Sequence, residues 1–175
     1  RVEPGVTPVE NDIPVTLWLP KNAETPYPVV MYGHGLASDR TEGRSAARLL
    51  AAGGFAMVGM DAIGHGEHPS AESDDSFTAA LGFLGVDLQT ISINPDLLRG
   101  NFDQTNLDRR RFLRLILETP DFDGDGEADF DTDHVGYLGI SLGAILGSQL
   151  LAISPEFEAV ILSVGGGRLM NIVTD

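Results

Sequence analysis

No cysteine occurs in the 175 residues, which removes disulfides, cysteine-ligated zinc and a thiol nucleophile from the chemistry open to this chain. Basic residues are scarce too: 11 Lys and Arg stand against 26 Asp and Glu, for a net charge of −15. A surface of that sign repels phosphate backbones and anionic lipid headgroups, so nucleic acid is not an expected partner. Long apolar runs are missing as well. The longest stretch, Val135 to Ile153, is interrupted by Ser141, Ser148, Gln149 and four glycines. It reads better as a strand followed by a helix than as a membrane span, and no transmembrane segment is expected. Arg1 stands where an initiator Met would be, with no basic segment and apolar run behind it, so the start reads as a processed terminus. What is present, 42% apolar residues with 21 Gly and 10 Pro, is the composition of a single globular domain.

Apolar runs and helical periodicity alternate along the chain. Ile13–Leu19 alternates in character and predicts a half-exposed strand ending at Pro20. Pro28–Tyr32, Phe55–Met60, Val135–Ile140 and Glu158–Val164 are short continuous apolar runs, the pattern of strands buried on both faces of a parallel sheet. Between them, Thr41–Ala52, Asn101–Glu118 and Leu142–Ile153 predict helices; the first ends at Gly53-Gly54, and the second sets Leu107, Phe112, Leu113, Leu115, Ile116 and Leu117 against Arg109, Arg110, Arg111 and Arg114. The expected fold class is therefore α/β, a mainly parallel sheet with flanking helices and right-handed crossovers. Residues 71–100 resist this pattern: they begin acidic, turn apolar through Leu81–Val86 and carry Pro95, which interrupts any long helix. A lid-like excursion at the carboxyl edge of the sheet is expected there.

The most informative stretch is Gly139-Ile-Ser141-Leu-Gly143, set between the strand Val135–Leu138 and the helix from Ala144. A serine on so tight a strand-to-helix turn must adopt strained backbone angles, and flanking glycines give room for the close chain approach the turn demands. The turn lifts Oγ above the sheet at a helix amino end, where free N–H groups favour developing negative charge. Two further motifs precede it: Tyr32-Gly-His-Gly-Leu36 and Asp61-Ala-Ile-Gly-His-Gly66.

Together these three motifs resemble the α/β-hydrolase family, in family order and over most of the chain: the His-Gly turn after the family's third strand, the D-x-x-G-H-G loop after its fourth, and the nucleophile elbow. The resemblance implies an acyl-enzyme on Ser141, an oxyanion hole built from the backbone N–H groups of Leu36 and Leu142, and supporting roles for His34, Gly35, Asp61, Gly64, His65, Gly139 and Gly143. It implies a carboxylic-ester hydrolase of esterase or lipase type acting on an ester-containing small molecule or lipid. An acyltransferase, thioesterase or peptidase on the same fold is the alternative.

One part of the family pattern is missing. Acid and histidine should follow the serine along the chain, yet His34, His65, His68 and His134 all precede it. His34 and His65 read as turn-stabilising residues rather than bases, and His134 lies at the wrong end of the elbow strand. The acids downstream of Ser141 are Glu156, Glu158 and Asp175, the first two placed before or at the start of the next strand. The expectation is that residues 1–175 form the amino-terminal part of one hydrolase domain. The acid and histidine would come from a carboxyl-terminal remainder or a second chain, which would also cover the bare sheet edge at Glu158–Val164.

Asp121 to Asp133 places seven carboxylates at alternate positions over thirteen residues. Oxygen ligands at positions 1, 3 and 5 followed by Gly at 6 match the start of a calcium loop, although position 12 would be Thr132 rather than a bidentate Glu. Candidate ligands to a structural calcium are Asp121, Asp123, Asp125, the carbonyl of Glu127, Asp129 and Asp133; a solvated acidic turn, and a non-catalytic calcium-dependent interaction module, are the competing readings. The acidic surface, the calcium-like loop and the missing Met point to a secreted or periplasmic location.

Overall fold

The computed structural model describes residues 12–73 and 75–166. Its frame is a five-stranded sheet in the order β1-β3-β2-β6-β7, where β1 is Val15–Trp18, β2 Tyr27–Gly33, β3 Ala56–Met60, β6 Phe130–Ile140 and β7 Ala159–Ser163. β2, β3, β6 and β7 run parallel, and β1 pairs antiparallel with β3. The mainly parallel sheet with flanking helices expected from the sequence is thus the architecture observed.

Alternate residues of each central strand serve opposite faces, because the side-chain period of a strand is two. Val29, Met31, Val58, Val135 and Tyr137 face α3 (Pro95–Glu118) and α4 (Leu142–Ala152), packing with Phe112, Leu113, Ile116 and Leu150. Tyr32 and Met57 face the other way, toward Ala47 of α1 (Arg44–Ala52). A third cluster, Ala62, Phe83, Phe102, Leu142 and Leu146, sits above the carboxyl ends of the strands and joins α2 (Ser76–Phe83) to the start of α4.

Several boundaries differ from the sequence expectation. The predicted first helix opens as a 3-10 turn, Arg40–Gly43, before α1 begins. β6 starts at Phe130 rather than Val135, with an irregularity that moves the β2 partner from Asp131 to Val135 across one step of β2. Pro95 does not interrupt a helix but opens one. It occupies the first turn of α3, where its missing N–H has no intrahelical partner to lose. Asn94 caps that end, its Oδ1 accepting from the N–H groups of Asp96 and Leu97, both at 3.1 Å. α3 therefore begins six residues before Asn101, inside the region read as an excursion; the rest of that region is α2 and a short β4–β5 hairpin (Val86–Asp87, Ser92–Ile93).

Two burial expectations are corrected as well. β7 has the apolar composition of a buried parallel strand, but it forms the sheet edge and is exposed throughout, Ile161 at 62%, because no described element lies on its outer side. On α3, Leu107 and Leu115 are exposed while Arg109 is fully buried. The helix turns its Thr105-Arg109-Phe112-Leu113-Ile116 stripe inward, at the spacing of one helix face.

Removing the Asn94 cap with Asn94→Ala is expected to cost about 1 kcal/mol and to lower Tm by about 2–4 °C, read by calorimetry.

Candidate active site

Ser141 links β6 to α4 with φ 51° and ψ −111°, a left-handed conformation that non-glycine residues adopt only at a cost of about 1–3 kcal/mol. The surrounding backbone over-determines it. Ser141 N–H donates to Ser163 O of β7 at 2.9 Å, and Ser141 O accepts from the N–H groups of Ala144 and Ile145 at 3.0 and 3.1 Å. The side chain does not cap the helix it precedes, and among the described residues Oγ makes no hydrogen bond. The glycines on either side are required sterically. A Cβ on Gly139 would lie 2.5 Å from Gly143 O, and one on Gly143 would overlap the Gly33 carbonyl.

That last contact brings the His-Gly turn to the elbow. Gly33 ends β2, and the Cβ position of Gly35 lies 3.7 Å from Ser141 Cβ. Glu42 holds the turn from behind: its Oε2 accepts from Gly35 N–H and from the Tyr32 hydroxyl, both at 2.8 Å. Glu42 was not singled out from the sequence; its only signal was a lone acid in a basic, alanine-rich segment. Leu36, Ser141 and Leu142 meet at one cavity of about 650 Å³, whose lining also includes Leu81, Leu84, Phe102 and Ile145. The two residues expected to supply oxyanion-hole amides therefore flank the serine at a single apolar opening.

His34 is fully buried and bridges two loops. Its Nδ1–H donates to Gly35 O at 2.8 Å, and its Nε2 accepts Ala62 N–H at 2.9 Å. Acceptance at Nε2 requires the neutral ring, protonated at Nδ1. Burial pulls its pKa down to about 4, and the nearby Arg109 charge acts in the same direction. His65 is buried against His34, with ring centroids 5.2 Å apart, and donates from Nδ1 to Ile63 O at 2.9 Å. Asp61 is likewise a brace, accepting from the N–H groups of Arg40 and Glu67 and pairing with the Arg40 guanidinium. Gly64 and Gly66 take positive φ in this loop; a Cβ on Gly66 would lie 2.5 Å from Asp61 Oδ2. His68 is buried with its Nδ1 on Ser70, and His134 pairs with Asp131 near the start of β6. Among the described residues no histidine hydrogen-bonds Ser141. Asp175 lies outside the described residues.

In the acidic loop, carboxylate oxygens of Asp121, Asp123 and Asp129 come within 4.8 Å of one another. Asp125 is turned to the Glu127 N–H and Asp133 belongs to β6, so neither joins that group as expected from spacing. Glu127 is an exposed residue of the same turn. Asp121 shapes the loop by accepting from the N–H groups of Gly124 and Gly126, and Asp129 accepts from Phe122 N–H.

The overall fold, a mainly parallel sheet with flanking helices, matches many solved structures. The thioesterase domain from the curacin biosynthetic pathway aligns with a TM-score of 0.55 at 17% identity, covering 91% of this chain and 44% of that one. The chain has the α/β-hydrolase fold. A cold-adapted esterase from an Arctic intertidal metagenomic library aligns with a TM-score of 0.56 at 19% identity, over 85% of this chain and 53% of its own. Acetyl xylan esterase 1 from Thermoanaerobacterium gives 0.56 at 21%, over 87% and 44%. The chain thus spans about half the length of these α/β-hydrolases, or less. No protein-family model and no curated protein sequence matches it. No helix among the described residues is long and apolar enough to cross a membrane.

The buried, neutral histidines make stability depend on pH. Folded His34 stays uncharged down to about pH 4, whereas the unfolded ring takes its proton near 6.5. Its contribution is therefore intact above pH 6.5 and is lost as pH falls from 6.5 to 4, a change of about 3 kcal/mol. Burial shifts His65 and His68 the same way. Tm measured from pH 7 to pH 4 should fall across that window; a flat profile would count against neutral His34.

Proposed function

We propose that this chain carries the nucleophile and oxyanion hole of a serine hydrolase that cleaves carboxylic esters through an acyl-enzyme on Ser141. The observation that carries this is the left-handed Ser141 at a strand–helix turn, its hydroxyl uncommitted, beside the His-Gly turn and at the mouth of an apolar cavity. Oγ attacks the acyl carbon as its proton passes to a histidine base, and the N–H groups of Leu36 and Leu142 receive the charge that develops on the carbonyl oxygen. Donors of that kind are worth roughly 2.7–4 kcal/mol each in other enzymes. The alcohol leaves with a proton from a histidine, and water then releases the acid and restores Oγ. That histidine and its acid partner come from outside the described residues, from a carboxyl-terminal remainder or a second chain.

The cavity walls favour a substrate with an apolar acyl group, as an esterase or lipase would take. Transfer to an acceptor other than water, as in an acyltransferase, and thioester or peptide cleavage use the same machinery. In the full chain, a fluorophosphonate should label Ser141 stoichiometrically and Ser141→Ala should abolish both labelling and ester hydrolysis, read by intact-mass analysis and p-nitrophenyl ester assays. An active protein left unlabelled at Ser141 would overturn the assignment.

We also propose that Asp121, Asp123 and Asp129 hold a structural calcium ion, filled at the millimolar concentrations found outside the cytosol, consistent with a secreted or periplasmic protein. The three clustered carboxylates offer hard oxygen ligands of the kind calcium takes, and the loop they close leads directly into β6, the strand that presents Ser141. Millimolar calcium should raise Tm by several degrees and a chelator should reverse it; an Asp121→Asn, Asp123→Asn variant should lose the response. A Tm indifferent to calcium would leave the loop as a solvated acidic turn.

A further inference from the structure

Arg109 is the largest fully buried side chain of the described residues, and no described carboxylate pairs with it. Its Nη1–H donates to the Tyr137 hydroxyl at 3.2 Å, while Nε and Nη2 are buried without a partner. A charge desolvated in this way is costly, and a hydrophobic residue of similar volume would serve stability as well or better. The groups it reaches suggest a different use. Tyr137 is also buried, and its hydroxyl donates to Gly143 O at 2.7 Å, within the first turn of α4. The same hydroxyl fills the place where a Cβ on Gly33 would stand, and Gly33 backbone packs directly on Gly143. One oxygen atom is thus wedged between the turn that carries Leu36 and the turn that carries Ser141 and Leu142, aligned from below by a guanidinium on α3.

We propose that Arg109 and Tyr137 are positioning residues that fix the spacing of the two oxyanion-hole amides. Neither touches substrate. Arg109, donating to the phenolic oxygen, leaves the phenolic proton only the Gly143 carbonyl to bind. That bond sets where α4 begins relative to Gly33, and with it where the Leu142 N–H lies relative to the Leu36 N–H. The proposal rests on the serine hydrolase reading, because only in acyl transfer do those amides act together. Donors displaced by a fraction of an ångström lose transition-state stabilisation while leaving ground-state binding largely intact. Losing either partner should therefore act on turnover rather than on substrate binding.

The test compares Tyr137→Phe and Arg109→Lys with the parent in the full chain, using a p-nitrophenyl ester, a fluorophosphonate and a trifluoromethyl ketone that adds to Ser141 as a tetrahedral adduct. Met57→Ala, in the core on the opposite sheet face, serves as a destabilised control. Tyr137→Phe is expected to lower kcat roughly tenfold, with KM moved less than about twofold. Fluorophosphonate labelling should slow and ketone affinity weaken by the same factor as kcat. Arg109→Lys, which keeps one donor, should fall between parent and Tyr137→Phe, and Met57→Ala should keep kcat despite a lower Tm. An active parent with unchanged kcat in Tyr137→Phe, or an equal loss in Met57→Ala, overturns the proposal and leaves the hydrolase reading standing. A parent that neither labels nor hydrolyses overturns both. Should the variants fail to fold, the parent protein still decides. The Tyr137 hydroxyl proton should appear in NMR spectra as a slowly exchanging resonance close to Gly143, and its exchange with solvent too fast to observe overturns the wedge.

Discussion

The approach of two glycine backbones, Gly33 at the end of β2 and Gly143 in the first turn of α4, is the constraint on which the site depends. It is a contact without side chains, so it tolerates no added atom, and it joins two segments more than a hundred residues apart. Every other feature of the site is placed relative to it: the left-handed Ser141 two residues before Gly143, and the Gly35 and Leu36 turn just after Gly33. Glu42, His34 and Asp61 brace the surrounding loops through hydrogen bonds to backbone N–H and carbonyl groups rather than to a reacting centre. These three side chains serve the shape of the turns.

Much of this was legible in the sequence because the signals were local and steric. The Gly139–Gly143 pentapeptide demands a tight turn whatever surrounds it, and unbroken apolar runs such as Phe55–Met60 have few homes other than a parallel sheet. The three motifs fall at strand ends in the structure, as the spacing of strands and helices implied.

What was not legible depends on partners distant in the chain. Arg109 stands among Arg110, Arg111 and Arg114, and composition alone assigns it to the solvent face of α3. Only the helical spacing to Phe112, Leu113 and Ile116 hints that it turns inward. Pro95 looks like a breaker by itself, but the cap at its neighbour Asn94 turns the same proline into an initiator. In the acidic loop, alternation suggests that every second carboxylate converges. A turn rich in positive-φ glycines bends the chain so that only Asp121, Asp123 and Asp129 meet. β7 shows the converse: its sequence describes an environment that the described residues do not supply.

β7 also carries the acceptor for the one main-chain bond that Ser141 N–H makes. The elbow is therefore the last rung of a ladder whose outer rail is exposed to water, and its rigidity is borrowed from that rail. A displacement of β7 at Ser163 would be felt directly at Ser141 N–H. The edge of the sheet and the conformation of Ser141 are mechanically joined.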